Sequence, residues 1–166
     1  VTALRLAALL AALLAAFLFW VGPEAEARSA AAPVRWSDIV LLDGRTLPAR
    51  ELNNQVVVVQ FWASWCPFCA KQSPYVQRLY EQHGRALRVL TFSIDSKPED
   101  ASNYLTQRGY AFPAAMAGAQ SARWFPDRTG LPVVYVVDRA GRIVFQQSGE
   151  MFEEDIAALA RFAGVK

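Results

Sequence analysis

An α/β fold is what the sequence predicts, and three observations carry the prediction. Residues 56–62 form an apolar, largely β-branched run without alternation, as in a strand covered on both faces, and residues 87–94 read as a second buried strand. Each is followed by a helical stretch that stops at a glycine, Gly84 and then Gly109. The chain then closes with a hairpin pattern over 133–147 and an amphipathic stretch over 151–162.

Taken in order, Trp36 to Leu42 reads as extended, and Asp43-Gly44 signals a turn that makes it the entry to a hairpin. Pro48 and Asn53-Asn54 punctuate the next stretch, and Val56 to Trp62 is then expected as a central strand. Cys69 to His83 reads as a helix kinked by Pro74. Leu87 to Ile94 supplies the second buried strand, and Lys97-Pro98-Glu99-Asp100 opens a helix reaching Arg108. Phe112-Pro113 and a short helix around Ser121 to Phe125 precede Gly130-Leu131-Pro132. Val133 to Val137, a turn at Asp138-Arg139-Ala140-Gly141, and Arg142 to Gln147 make the hairpin. The last helix should set Phe152, Ile156, Leu159 and Phe162 on one side.

Residues 6–21 stand apart. They form an apolar run without a charge, preceded by Arg5 and followed by Gly22-Pro23-Glu24-Ala25-Glu26-Ala27, the order of an export signal. The run is slightly shorter than the roughly 17 to 25 residues that cross a bilayer as a helix. Cleavage after Ala27 is therefore the expectation for residues 1–27, with membrane anchoring by 6–21 as the alternative. Residues 28–35 read as a tether, and 36–166 as one domain. The formal charge of +2 comes from scattered residues with no Lys/Arg run, which argues against nucleic acid as a partner.

The chain has two cysteines, Cys66 and Cys69. Export places them where thiols tend to oxidise. So small a disulfide loop constrains little chain entropy, and the spacing suits chemistry better than stapling. Cys66 falls where a strand gives way to a helix, so unpaired backbone N–H groups and the positive end of the dipole favour its thiolate. Pro67 fits the first helical position. Cys69 returns to the same side one turn later, more buried, which makes Cys66 the attacker and Cys69 the resolver. A structural zinc site needs four ligands, and the chain offers two cysteines and His83, which reads as a helix cap. No metal and no cofactor are expected, and a purely structural disulfide is the remaining alternative.

Phe61-Trp62-Ala63-Ser64-Trp65-Cys66-Pro67-Phe68-Cys69, with Pro74 beyond it, resembles the active-site strand and kinked helix of thioredoxins. Gly130-Leu131-Pro132 resembles their cis-proline loop, and Val137-Asp138 with Gly141 and Gly149 their closing hairpin. The leader, the N-terminal extension and the long stretch between Asp95 and Gly130 are similar to the exported TlpA/ResA/CcmG-type branch. The resemblance spans Trp36 to Phe162. It implies a thioredoxin fold: a central mixed sheet with flanking helices, an N-terminal extension and a helix/strand insert before the cis-proline loop. It implies a periplasmic thiol-disulfide oxidoreductase of a Gram-negative bacterium, monomeric, soluble or tethered to the inner membrane. Such a protein acts on exported protein thiols and disulfides, as a reductase fed by a membrane-embedded electron donor. Pro132 would be cis beside the disulfide, Leu131 would pair with an extended substrate, and Trp65 and Phe68 would offer apolar contact. Trp124 and Phe125 fit core or lid packing.

Two positions depart from that pattern. Gln60 stands where thioredoxins commonly carry a buried acid, and Gln72 where ResA-like proteins commonly carry a glutamate. An acid near the pair disfavours a neighbouring thiolate, so the two glutamines should ease formation of the Cys66 thiolate and make the disulfide more oxidising. Net oxidation or isomerisation is thus a second reading. A peroxidase would have a Pro-x-x-x-Thr/Ser-x-x-Cys pattern, whereas Ala63-Ser64-Trp65 precede Cys66. A Cu(I) chaperone using the two soft sulfurs lacks a well-placed histidine, since a continuous helix would set His83 about 20 Å from Cys66.

Overall fold

The computed structural model describes residues 32–165. The expected leader, and the tether up to residue 31, lie outside the described residues. Among the described residues no helix is long and apolar enough to cross a membrane.

The chain enters through a two-stranded antiparallel ribbon, β1 (Ile39–Val40) and β2 (Thr46–Leu47), turned at Asp43-Gly44 as expected. A 3-10 turn at Ala49–Glu51 leads to β3 (Val57–Trp62), followed by α1 (Pro67–His83), β4 (Arg88–Ser93) and α2 (Pro98–Arg108). Next come β5 (Ala114–Met116), α3 (Ala119–Trp124), β6 (Val133–Val137), β7 (Ile143–Ser148) and α4 (Glu153–Ala157). The main sheet has the order β5-β4-β3-β6-β7. β3 pairs in parallel with β4, as β4 does with β5, whereas β6 runs antiparallel to both β3 and β7. The sheet is mixed, β3 is its middle strand, and the fold is thioredoxin-like.

Continuous valines suit β3 because both of its faces are covered. Val57, Val59 and Phe61 join Phe92, Phe125, Val133 and Tyr135 on one side, roofed by Val34, Trp36, Ile39 and Leu52. Val58 points to the other side, against Val76 and Leu79 of α1 and Ile156 and Leu159 near the C-terminus. The aromatic packing on the first side is dense: Phe61 stacks on Phe92 at 5.2 Å and meets Phe125 edge-on at 5.6 Å, and Trp36 meets Trp124 at 5.1 Å. Such pairs add about 0.5–1.5 kcal/mol beyond their buried area. Trp124 and Phe125 are thus core packing.

Several local expectations change. α1 begins at Pro67, the first helical position expected for that proline, two residues before the stretch read as helix from Cys69, and Cys66 itself is the N-cap. β5 has no counterpart in the sequence pattern: alanines carry little strand preference, and the segment is a strand because its backbone docks on the edge of β4. The closing helix is α-helical only to Ala157 and continues as a 3-10 helix, Ala158–Ala163. Ile156 and Leu159 are buried, but Phe152 sits at the N-cap and is exposed. The packed chain also starts before Trp36, since Val34 is buried and its N–H donates to the Gly141 carbonyl at 2.7 Å. Gly141 has φ +81°, and a Cβ there would meet the Val34 oxygen at 2.7 Å, so this clasp requires glycine.

The β6–β7 turn is held by Asp138, whose carboxylate accepts from the amides of Ala140 and Arg142, each at 2.9 Å, and from Arg142 Nε at 2.8 Å. Burial works to raise the Asp138 pKa, but the Arg142 amide, the Arg142 side chain and the Ala140 amide together outweigh it and hold the carboxyl below its ordinary value. A carboxyl with a lowered folded-state pKa contributes stability that is present above its unfolded pKa and is lost as pH falls through the folded one. Asp138→Asn is therefore expected to lower the melting temperature at pH 7, and the gap to the parent should close as pH drops below about 4. A gap constant from pH 7 to pH 3 would show that the charge is not what holds the turn.

Candidate active site

The site lies where β3 ends. The Trp62 carbonyl accepts the Ile94 N–H at 2.9 Å, so β3 and β4 stay in register to their last residues. The chain then turns through Ala63-Ser64-Trp65, with the Cys66 N–H bonded to the Ala63 carbonyl at 3.2 Å, before α1 starts. Cys66 is the N-cap and Pro67 opens the helix, a position where proline's missing N–H costs nothing. Cys66 and Cys69 are joined by a disulfide, with Cα atoms 5.2 Å apart, and Cys66 Sγ accepts the Cys69 N–H at 3.1 Å.

The two sulfurs are not equivalent. Cys66 is 4% exposed and forms part of the wall of an open cavity of about 550 Å³; Cys69 is wholly buried behind it. Trp65, 67% exposed, and Phe68, 50% exposed, flank the cavity with Ile94 and Leu131. The Leu131-Pro132 peptide bond is cis. The Pro132 carbonyl is taken by the Gly149 N–H at 2.8 Å, while the Leu131 backbone has no hydrogen-bond partner among the described residues.

This geometry can be set beside known proteins. The Redoxin family matches residues 27–161 of the chain. The chain belongs to this family. The "Thiol-disulfide oxidoreductase ResA" of Bacillus thuringiensis (strain Al Hakam) is 27% identical over 116 residues, covering 69% of this chain and 67% of the relative. The "Thiol:disulfide interchange protein DsbE homolog" of Paracoccus denitrificans (strain Pd 1222) is 32% identical over 121 residues, 69% of this chain and 63% of that protein. Among solved structures, a thioredoxin family protein from Chlorobium tepidum TLS superposes with a TM-score of 0.71 at 22% identity, covering 81% of this chain and 99% of its own.

Behind its disulfide this redoxin carries a buried chain of amides. The Met151 N–H donates to Gln72 Oε1 at 2.6 Å, which fixes the orientation of the Gln72 amide. Gln72 Nε2 then donates to Gln60 Oε1 at 2.8 Å, leaving Gln60 Nε2 buried without a partner among the described residues. The two glutamines singled out in the sequence thus touch each other, and the network presents a spare donor where an acid would present a charge.

A second cluster escapes the sequence reading. The buried Asp95 carboxylate accepts the Ser64 N–H at 3.0 Å, the Ser64 hydroxyl at 2.7 Å and the Ser93 hydroxyl at 2.6 Å. It ties the loop before Cys66 to the end of β4. An acidic residue directly after a buried strand, with Ser64 two residues before the cysteine, is the signal that could have found it. Arg128, which also lines the cavity, has none, because its loop is placed only by the folded sheet. Of the residues expected at the site, Trp65, Cys66, Pro67, Phe68 and Leu131 meet around the cavity, and Cys69, Gln60 and Gln72 lie buried behind. His83 ends α1, away from the sulfurs.

Proposed function

We propose that this redoxin is a thiol-disulfide oxidoreductase of exported proteins, with Cys66 as nucleophile and Cys69 as resolver, working as a reductase. The observation that carries the reading is the asymmetry of the pair: a helix-capping Cys66 opening on an apolar cavity, and a Cys69 shut behind it. In the dithiol form the Cys66 thiolate attacks one sulfur of a substrate disulfide, forming a mixed disulfide and releasing the other sulfur as thiolate. Cys69 then attacks Cys66, the second substrate sulfur leaves, and two electrons have passed to the substrate while the Cys66–Cys69 disulfide re-forms. Trp65, Phe68 and the Leu131 backbone offer an extended segment apolar contact and strand-like pairing, with Pro132 shaping the loop. The names of the relatives support thiol-disulfide exchange, and the apolar leader supports export, with the domain released or anchored through residues 6–21; the reading extends to a periplasmic monomer re-reduced by a membrane-embedded donor.

The neutral Gln60–Gln72 pair favours a second reading, net oxidation or isomerisation, because at these two positions an amide replaces an acid that would oppose the Cys66 thiolate. Equilibration with glutathione buffers, alongside insulin reduction, separates the two directions. A disulfide that glutathione reduces readily, without insulin turnover, favours the oxidant. Gln72→Glu tests the cause. A carboxylate still accepts the Met151 N–H, and the Gln60 amide can turn its spare N–H toward it. The new charge should destabilise the dithiol state and make the potential more negative, by about 30 mV for each tenfold change in the equilibrium constant. A potential unchanged or less negative would remove the glutamines from the account.

A further inference from the structure

The cavity beside Cys66 is apolar on almost every side, and its exception is Arg128. The Arg128 guanidinium lies over the Phe61 ring at 4.5 Å, and its Nη1 is buried with no hydrogen-bond partner among the described residues. No acidic side chain among the described residues lines the cavity. Two acids adjoin wall residues in sequence: Asp95, beside Ile94, has its oxygens occupied by Ser64 and Ser93, and Asp127, beside Arg128, is exposed and makes no ion pair among the described residues. The loop carrying Arg128 is not left to drift: the Asp127 carbonyl accepts both the Tyr135 hydroxyl at 3.2 Å and Gln146 Nε2 at 2.9 Å, which pins it to β6 and β7.

A buried, unpaired guanidinium nitrogen is unfavourable until an acceptor reaches it, and a carboxylate is the acceptor whose two oxygens match the guanidinium fork. We propose, building on the thiol-disulfide exchange inferred above, that Arg128 determines specificity. It selects substrate segments that carry a glutamate or aspartate next to the cysteine attacked by Cys66. The apolar walls formed by Trp65, Phe68, Ile94 and Leu131 take the neighbouring side chains, and the single cation sets which segment is preferred. Because the ring of Phe61 fills the space under the guanidinium, the charge is held in place before substrate arrives.

Two disulfide-bonded peptides that differ only in having Glu or Gln on either side of the reactive cysteine provide the test, with the full chain as enzyme. The parent should prefer the Glu peptide in kcat/KM by about tenfold or more, the size expected for a charge-assisted hydrogen bond in a partly desolvated site. The preference should appear in KM, weaken at high salt, fall to near unity in Arg128→Gln and be partly restored in Arg128→Lys. The ratio between peptides, rather than either rate, is the readout, so a general loss of folding or reactivity in a variant does not imitate the result. Equal use of both peptides by the parent, or a preference that survives Arg128→Gln, overturns the proposal and leaves the exchange chemistry standing. If the parent turns over neither peptide, the exchange reading fails with it.

Discussion

Cys69→Ser is expected to convert the protein into a trap, accumulating mixed disulfides on Cys66 that non-reducing gels and mass spectrometry can read, while Cys66→Ser should capture nothing. Both variants should lose essentially all disulfide turnover. The asymmetry comes from packing: Cys66 is at the wall of the cavity and Cys69 is sealed behind it, so only the first sulfur can meet a partner and only the second can release it. Capture by Cys66→Ser instead would reverse the assigned roles. Absence of any mixed disulfide in Cys69→Ser would point away from protein-disulfide exchange and toward a disulfide that only cross-links this helix turn.

The second large effect should come from a residue that touches no sulfur. Asp95→Ala strips the acceptor from the Ser64 amide and from two hydroxyls in a place water scarcely reaches. Hydrogen bonds to a charged group are worth about 1.5–3 kcal/mol each, and a buried donor left without an acceptor costs about 1–3 kcal/mol, so a loss of about 3 kcal/mol or more is expected. Denaturant unfolding of the oxidised protein would measure it. Asp95→Asn keeps one good acceptor and should lose less. Since Ser64 belongs to the turn that delivers Cys66 to the helix end, the alanine variant should also react more slowly with disulfides under conditions where it stays folded. A stability loss under about 1 kcal/mol would mean the serines find other partners.

What the sequence discloses and what it hides depend on the range over which each signal acts. The middle strand is legible because covering both faces leaves Val56 to Val59 no reason to alternate. The cysteine turn is legible because capping chemistry is local: Cys66, Pro67 and Cys69 carry their geometry within a few residues. β5 is invisible because Ala114, Ala115 and Met116 are a strand only by virtue of β4 beside them. The end of the closing helix is hidden for a similar reason, since periodicity does not distinguish an α turn from the tighter 3-10 turns at Ala158–Ala163. The glutamines can be flagged by position, yet their mutual bond spans twelve residues of sequence and the Met151 amide lies a further 79 away. Arg128 reaches the cavity only through β6 and β7, which no local pattern announces.

The amide chain from Met151 through Gln72 to Gln60 has a bearing on proton traffic. When Cys69 attacks the mixed disulfide it must first give up its proton, and an amide, unlike a carboxylate, has no vacant basic oxygen of useful strength to hold it. The spare N–H on Gln60 can steady an anion but cannot accept a proton. The base for the resolving step then lies outside the amide chain, and the substrate sulfur released in the first step is one group basic enough to serve. Resolution by this redoxin would accordingly depend on both of its client's sulfurs in opposite senses: a basic sulfur released in the first step is the better proton acceptor, whereas an acidic sulfur still held on Cys66 is the better leaving group.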